Sequence, residues 1–327
     1  MASDADLCTP RNMLMDRAGR AFAVVGQFHL EDASVASLRY VTCGDRLVKA
    51  GPADIARLHE CEPAYRLPAG DTVHTIVPHD RVVRTLDQFA GVGDLDEDER
   101  SLIDTLAREA GVRIGVTGSS LLGTARSGSD LDLTAAACDH PRLLATARIL
   151  AERGDVLSPL TDTDWRSVYD KRGIYADHYP FKLFLAHERR KGDRWMAGPR
   201  RIDLLPTPLS RTVGPEDLAV YRLGHARVSG KVADGSAPYG HPAIYLLEDG
   251  LADLKDGRES TVEAVVCFTH TYAAQAFPGE HVRASGVLER YGTTAAGFEG
   301  PVLIVGTARD EKGEWLVSRE LAGRTVL

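Results

Sequence analysis

One stretch of sixteen residues, 118–133, constrains the fold of this chain more than any other. Its sequence is GSSLLGTARSGSDLDL, and it follows the strand-like run VRIGVT at 112–117. Asp130 and Asp132 alternate with leucines, so in a strand both carboxylates project from one face and both leucines from the other. The chain is therefore expected to build a sheet that buries one face of this strand and presents two acids on the other.

Paired carboxylates on one strand face repel each other unless a cation lies between them. Hard divalent ions such as Mg²⁺ take oxygen ligands and commonly share them with substrate phosphates. Gly118 and Ser119 stand where the chain leaves a strand and enters a helix, and free amide groups at such a point favour a phosphate. Asp203, in the later strand-like run RIDLL, is the candidate for a third ligand. Three carboxylates around two ions suit phosphoryl transfer, whereas a solvated edge strand is the alternative.

The pattern Gly-Ser, a short turn, Ser-Asp-x-Asp and a later strand aspartate resembles the polymerase-β-type nucleotidyltransferases, including minimal and archaeal predicted members. The resemblance covers roughly 113–205 and departs from the family at Ser120-Leu121-Leu122, where many members have Arg-x-Arg. It implies an α+β fold class, with a mixed sheet and flanking helices. It also implies a transferase with an NTP substrate, ATP included, and Mg²⁺ or Mn²⁺ as cofactor.

Seven residues carry these expectations. The resemblance implies catalytic and metal-binding roles for Asp130, Asp132 and Asp203, and triphosphate contacts for Gly118 and Ser119. Ser129 and Lys182 are further candidates for nucleotide binding. Lys182 is placed on a predicted strand at 181–186, where an exposed lysine without a ligand is the alternative.

Three segments are predicted along the chain. Residues 1–95 read as an N-terminal α/β segment, with strands at 21–28, 37–42 and 73–77 and a helix from 78 to 89. Residues 96–212 form the predicted catalytic domain, and 213–327 have the short strands and glycine or proline turns of an all-β domain.

The C-terminal segment resembles an OB-fold, a small β-barrel. The resemblance rests on ARVSGKVAD at 226–234, VEAVVCF at 262–268 and PGEHVRASGVLER at 278–290. Such barrels often bind single strands by stacking aromatic side chains, for which Phe268, Tyr272 and Phe277 are the candidates. A structural or dimerising barrel, which would make the protein a homodimer, is the alternative.

Charge and cysteine content limit the partners. The net charge is −8, and the middle third, 101–210, is the positive one. Its basic run from Arg189 to Arg201 is either a solvated hairpin tip or an anion-facing patch. No apolar run approaches the roughly 18 residues that span a bilayer, so no membrane partner is expected. Five scattered cysteines and an acidic N-terminus without an apolar signal region predict a cytoplasmic protein.

The expected reaction is in-line attack of an acceptor hydroxyl or phosphate on the α-phosphate of an NTP, with release of pyrophosphate. The acidic flanks favour a small metabolite over RNA as the acceptor. An RNA-directed nucleotidyltransferase is one alternative. A non-catalytic nucleic-acid-binding or regulatory protein that retains the fold is the other.

Overall fold

The chain divides into two compact units, each built from two separate segments. The computed structural model describes residues 7–126, 128–174, 177–306 and 313–325. Unit 1 comprises 1–159 and 193–218, and unit 2 comprises 160–192 and 219–327. The α+β class is confirmed, since sheets predominate and several helices accompany them. The grouping differs from the three predicted segments, 1–95, 96–212 and 213–327, because 160–192 groups with the C-terminal strands.

The elements of unit 1, in chain order, are β1 (Met13–Asp16), β2 (Ala21–Val24), β3 (Phe28–His29), β4 (Ala33–Cys43), β5 (Arg46–Lys49), α1 (Pro52–Cys61), β6 (Arg66–Ala69), β7 (Thr72–Pro78), β8 (Val82–Leu86), α2 (Glu97–Ala110), β9 (Gly115–Val116), α3 (Gly118–Leu121), β10 (Leu131–Ala136), α4 (His140–Arg153), β11 (Arg194–Ala197), β12 (Arg200–Thr207) and β13 (Arg211–Thr212). Short 3₁₀ turns lie at Pro63–Tyr65, His79–Arg81, Ala90–Asp94 and Pro215–Leu218.

Most of the first ninety residues form an antiparallel sheet with the strand order β6–β7–β4–β2–β1–β8, and β5 pairs with β4. Leu14, Phe22 and Val77 are fully buried in its core. The predicted helix at 78–89 is wrong. Residues 82–86, with the sequence VVRTL, form β8 and pair with β1. β-Branched residues favour such a pairing over a helix.

The central sheet of unit 1 has the strand order β11–β12–β10–β9. It is mixed, because β10 and β12 run parallel while β9 and β11 are antiparallel to their neighbours. Helix α2 begins after Asp96, whose carboxylate accepts a hydrogen bond from the Glu99 amide at 2.8 Å. Helices α2 and α4 pack against one another, and α4 also packs on β10 and β12. This packing fixes the strands that carry the predicted acids.

Unit 2 contains α5 (Asp162–Arg172), α6 (Phe181–Lys191), β14 (Val220–Lys231), β15 (Ala243–Leu246), β16 (Leu251–Leu254), β17 (Glu259–Thr261), β18 (Ala264–Cys267), β19 (His281–Tyr291), β20 (Val302–Val305), β21 (Trp315–Ser318) and α7 (Arg319–Thr325), with a 3₁₀ turn at His270–Tyr272. In the ranges described above, none of the helices is long and apolar enough to cross a membrane.

The strands of unit 2 form one sheet, here called the C-terminal sheet, with the order β15–β18–β20–β19–β14–β16–β17 and β21 paired to β19. The predicted small barrel is not closed in the described part of the chain, because the end strands β15 and β17 do not pair with each other. The short strands predicted in 213–327 are present in the described part of this segment. Residues 307–312 lie outside the described residues.

The predicted strand at 181–186 is wrong, because these residues begin helix α6. Leu183, Phe184 and His187 follow one another at helical spacing and are buried. The Phe184 ring packs against Trp165 and Tyr179, with ring centroids 6.1 and 5.9 Å away. Burial of one helical face among aromatic rings therefore decides the conformation of a segment whose local pattern also suits a strand.

Candidate active site

Two of the predicted acids lie side by side in the central sheet. Asp132 of β10 and Asp203 of β12 are Cα partners in the parallel pairing. Partners in a sheet lie about 4.8 Å apart across the strands and project from the same face. The leucines on either side of Asp132, Leu131 and Leu133, are buried on the opposite face. The alternation predicted from the sequence therefore brings these two carboxylates together.

Asp132 has an unfavourable environment for a negative charge. Desolvation is the main cause, and the nearby charges of Asp203 and Asp130 add to it, so that the pKa of Asp132 is raised to about 7. The positive charges of Arg11 and Arg194 act in the opposite direction but do not balance the effect. The approach of a cation would stabilise the ionised form of a carboxyl group in this environment.

Gly118 brings the backbone against this carboxyl group. It opens the short helix α3, directly after β9, and has a φ of +68°. A Cβ atom at this position would lie 2.5 Å from Oδ2 of Asp132, so any side chain would force this carboxylate to shift. The amide of Thr117, one residue earlier, donates to the Asp132 carbonyl oxygen at 2.9 Å. Glycine is therefore required both by the left-handed backbone and by the approach to Asp132.

Asp203 is bound by an arginine on the adjacent strand. Arg194 of β11 donates from Nε to Oδ1 and from Nη2 to Oδ2, both at 2.5 Å. The two side chains are 5% and 11% exposed. A planar guanidinium that binds both carboxylate oxygens fixes the orientation of Asp203 and compensates its negative charge.

Asp130 lies just before β10 and forms an ion pair with Arg201 of β12. Both side chains keep partial contact with solvent, at 31% and 21% exposure. Such a pair costs less to separate than a fully buried one. Asp130 therefore lies near Asp132 but is paired with an arginine of its own, Arg201.

Arg200, next in the chain to Arg201, connects the loops that frame the site. It forms an ion pair with Glu99 of α2, and its Nη2 donates to Ser120 Oγ at 3.1 Å. Its Nε donates to the carbonyl oxygen of Ser129 at 3.2 Å. Desolvation lowers the pKa of Arg200. These contacts hold α2, α3 and the turn before β10 together.

The two predicted serines have local contacts in these loops. The Ser129 hydroxyl accepts a hydrogen bond from the Arg126 amide at 2.9 Å, and the Ser129 amide donates to the Arg126 carbonyl oxygen. The Ser119 carbonyl oxygen accepts from the Thr124 amide at 2.9 Å. Ser119 lies in the first turn of α3, whereas Ser129 stabilises the turn that leads to the acids. Their predicted nucleotide contacts stay predictions.

Arg11 belongs to this site although the sequence reasoning missed it. Its backbone has a φ of +77°, and its Nε donates to the Pro206 carbonyl oxygen of β12 at 3.2 Å. Its own carbonyl oxygen accepts a hydrogen bond from Thr117 Oγ1 at 2.7 Å. Burial lowers the pKa of Arg11 to about 10, against the favourable charge of Asp132. No motif marks this arginine, because its role depends on how the N-terminal strands pack on the central sheet.

The acids suit a divalent cation in their donor chemistry, since all their donors are carboxylate oxygens and the charge of Asp132 is poorly compensated. As the side chains stand, no group of three His, Cys, Asp or Glu residues in the described ranges converges closely enough to hold an ion. Arg194 and Arg201 occupy the oxygens of Asp203 and Asp130. Binding by all three acids would therefore need these arginine contacts to loosen.

Lys182, whose predicted nucleotide contact stays a prediction, belongs to unit 2. It lies on helix α6 of unit 2 and is exposed, so its predicted place on a strand is wrong.

The basic run from Arg189 to Arg201 is neither a solvated hairpin tip nor an open anion-facing patch. Its members are divided between α6 and the β11–β12 hairpin, and they pair with carboxylates. Arg189 binds Asp162, Arg190 binds Glu280, and the fully buried Lys191 binds Glu188.

The sequence does contain a signal for one contact at the site, the pair of Arg194 and Asp203. Gly198 and Pro199 form the tip of the β11–β12 hairpin, and the register that follows pairs Arg194 with Asp203. A two-residue loop fixes the register of the strands that it joins.

An archaeal protein is similar to more than half of this chain. No protein-family model matches the sequence, and no solved structure matches it. The chain is 30% identical over 207 residues to an uncharacterized protein of Methanocaldococcus jannaschii. The match spans 62% of this chain and 58% of that protein, so it covers less than two thirds of the relative's length. The chain is thus similar to an archaeal protein that is described as uncharacterized.

Proposed function

We propose that this protein is a metal-dependent nucleotidyltransferase, which transfers a nucleoside monophosphate from an NTP to an acceptor hydroxyl or phosphate and releases pyrophosphate. One observation carries the proposal. Asp132 and Asp203 are partners on parallel strands, with the backbone of Gly118 held against Asp132. The mixed central sheet with its flanking helices supports the nucleotidyltransferase core that the sequence resemblance implies.

Each residue has a distinct part in this proposal. Asp130, Asp132 and Asp203 would hold Mg²⁺ or Mn²⁺, which when bound neutralises phosphate charge and lowers the pKa of the acceptor hydroxyl. Arg194 orients the carboxylate of Asp203 in the protein without an ion and would release at least one of its oxygens when the ion binds. The amide groups in the first turn of α3, at Gly118 and Ser119, lack acceptors within the helix and are suited to phosphate oxygens.

A small metabolite is the favoured acceptor. The acidic flanks of the chain disfavour a long polyanion, and the basic residues of the middle third largely pair with carboxylates. An RNA acceptor is the alternative. It predicts an affinity for RNA that falls steeply between low and moderate salt, because counterions are released on binding.

The C-terminal sheet gives little support to single-strand binding by an OB-like surface. Of the three aromatic candidates, Phe268 is 41% exposed, whereas Tyr272 is buried and donates its hydroxyl hydrogen to the Glu314 carbonyl oxygen. Phe277 is covered by the guanidinium of Arg190, 4.8 Å from its ring centroid. We therefore favour a structural role for this sheet. Pairing of two copies of the chain through it, as a homodimer, can be tested by measuring the oligomeric state.

Titration calorimetry with each NTP, with and without Mg²⁺, tests the proposal. NTP should bind at least about tenfold more tightly with Mg²⁺, and Asp132→Asn and Asp203→Asn should each abolish this gain. Asp104→Asn, an exposed aspartate of α2, is the control for the loss of one negative charge. The proposal would be contradicted if the NTP affinity changed neither with Mg²⁺ nor with Asp132→Asn and Asp203→Asn.

Turnover separates the enzyme from a non-catalytic protein of the same fold. Pyrophosphate release should appear when the protein is mixed with NTPs, Mg²⁺ and a metabolite extract, and mass spectrometry should show a product heavier by one nucleoside monophosphate. Mg²⁺-dependent NTP binding without release from either metabolites or RNA would favour the non-catalytic alternative.

A further inference from the structure

Unit 2 contains a cavity that the proposed function does not use. Its volume is about 330 Å³, which is within the range of small-molecule sites. Trp315, Val317 and Leu183 give it apolar walls, and all three are buried. His178, Arg283 and Arg319 also line it. The cavity thus combines apolar and aromatic walls with two guanidinium groups.

Strand pairing places these groups together. Arg283 of β19 is the Cα partner of Val317 of β21, and Ser285 is the partner of Trp315. Arg283, Trp315 and Val317 therefore project from one face of the sheet. Helix α7 begins with Arg319, directly after β21. The arrangement is fixed by two adjacent strands and the helix that follows them.

Two of the lining residues form an aromatic stack, which the Arg283 guanidinium approaches. The His178 ring stacks on the Trp315 indole, with centroids 4.9 Å apart and planes inclined by 25°. The Arg283 guanidinium lies 6.0 Å from the centroid of the same indole. A planar ring that extends this stack would gain an aromatic contact in addition to the area that it buries.

In the described part of the chain, the two arginines lack acidic partners of the kind that several other arginines of this unit have. Arg283 and Arg319 are exposed and form no ion pair within the described residues, whereas Arg190 binds Glu280. Asp177 also lines the cavity and would repel an anion. Two guanidinium groups against one carboxylate still leave a positive site, and guanidinium groups bind phosphate through paired hydrogen bonds.

We propose that this cavity binds a small anionic ligand with a planar ring, of the size of a nucleoside monophosphate. The phosphate lies against Arg283 and Arg319, and the ring stacks with His178 and Trp315. The carboxylate of Asp177 suits a sugar hydroxyl better than a second phosphate. The inference does not depend on the acid pair of unit 1 and stands if the proposed function fails.

Tryptophan fluorescence of a Trp165→Phe/Trp195→Phe variant tests this inference, because Trp315 is then the remaining indole. AMP, added without divalent cations, should change the emission of Trp315 at saturation. Arg283→Met and Arg319→Met should each weaken AMP binding about tenfold or more, the usual loss for a charge-assisted hydrogen bond. Arg290→Met, an exposed arginine of the same strand outside the cavity, should leave the affinity within about twofold.

Adenosine and inorganic phosphate, as separate probes, should both bind more weakly than AMP, since each lacks half of the recognised groups. Three results would overturn the inference: no response to AMP, an AMP affinity unaffected by both arginine substitutions, or adenosine binding as tightly as AMP. Nucleotide bound at the acid pair of unit 1 would not depend on Arg283, so the substitution distinguishes the two sites.

Discussion

Gly118 is a residue whose side-chain position is filled by another group. An alanine there would adopt a left-handed φ of +68° and place its Cβ 2.5 Å from the Asp132 carboxylate. We expect Gly118→Ala to lower the free energy of unfolding by about 2–4 kcal/mol, the sum of backbone strain and steric conflict. Gly123→Ala is the matched control, since its φ is +65° and open space surrounds its Cβ position. It should cost only about 1 kcal/mol.

Urea unfolding of the two glycine variants measures both costs. Equal losses of stability would mean that the approach of Asp132 to Gly118 has no energetic effect.

Asp132 should make the stability of the protein depend on pH. Its pKa is about 7 in the folded chain and near 3.9 in an unfolded one, so between these values the folded state binds the extra proton. The free energy of unfolding therefore falls as pH rises from 4 to 7. Asp132→Asn removes this loss, and without divalent cations it should be more stable than the parent by about 1–3 kcal/mol at pH 8.

Denaturation at pH 5 and pH 8 checks the Asp132 prediction. The advantage of Asp132→Asn over the parent should grow between these values, while Asp104→Asn should show no such growth. A constant difference across this range would contradict the raised pKa.

At the scale of elements, the β11–β12 hairpin stabilises the acid pair from one side. Removing Arg194 leaves Asp203 buried beside Asp132 with a charge that has lost its bidentate partner, so Arg194→Met should cost about 3–5 kcal/mol. The partly exposed pair of Arg201 and Asp130 is the internal control, and Arg201→Met should cost at most about 1 kcal/mol.

A double-mutant cycle in thermal or urea unfolding separates the Arg194 contact from other effects. Arg194→Met/Asp203→Asn should recover much of the loss, because no buried charge then lacks its partner. Additive losses would show that Arg194 acts through packing alone.

The sequence predicts the strands of the site well, because alternation marks them locally. β10 and β12 each place one aspartate between buried apolar residues, and the Gly-Ser turn lies where a helix begins. The segment 181–186 fails the same test, since its pattern of phenylalanine and leucine suits either a strand or a helix. Packing with distant aromatic rings decides that it is a helix, and such contacts have no local signal.

Long-range partners account for the rest of what the sequence does not reveal. Arg11 contributes to the environment of Asp132 from more than a hundred residues away. The C-terminal strands are recognisable one by one, yet their order in the sheet and the absence of barrel closure in the described residues depend on pairings between distant segments. Spacing within a motif cannot encode such pairings.

For the whole molecule, unit 1 should fold without the segment 160–192. Ser158 and Met196 exchange backbone hydrogen bonds of 2.9 and 2.8 Å, so the chain leaves unit 1 before this segment and returns to it afterwards at adjacent points. We expect residues 1–218, with 160–192 replaced by a short glycine-serine linker, to be monomeric and to unfold cooperatively. Residues 1–218 with 160–192 retained should aggregate, because the buried rings of Trp165, Tyr169 and Phe184 lose the strands with which they group.

Size-exclusion chromatography and binding of a hydrophobic dye compare the two truncated chains. If both behaved alike, the division into two units would not correspond to separable folding units.

The segment 160–192 also sets the order in which the acids come together during synthesis. Asp132 is translated about 70 residues before Asp203, and helices α5 and α6 of unit 2 are made in between. At about 5–20 residues per second, the ribosome needs roughly 4–14 seconds to cover this distance. During that interval β10 has no β12 beside it, and its carboxylates remain hydrated. The candidate active centre therefore matures late on the nascent chain, so a transcript cut short before codon 203 yields a protein without it.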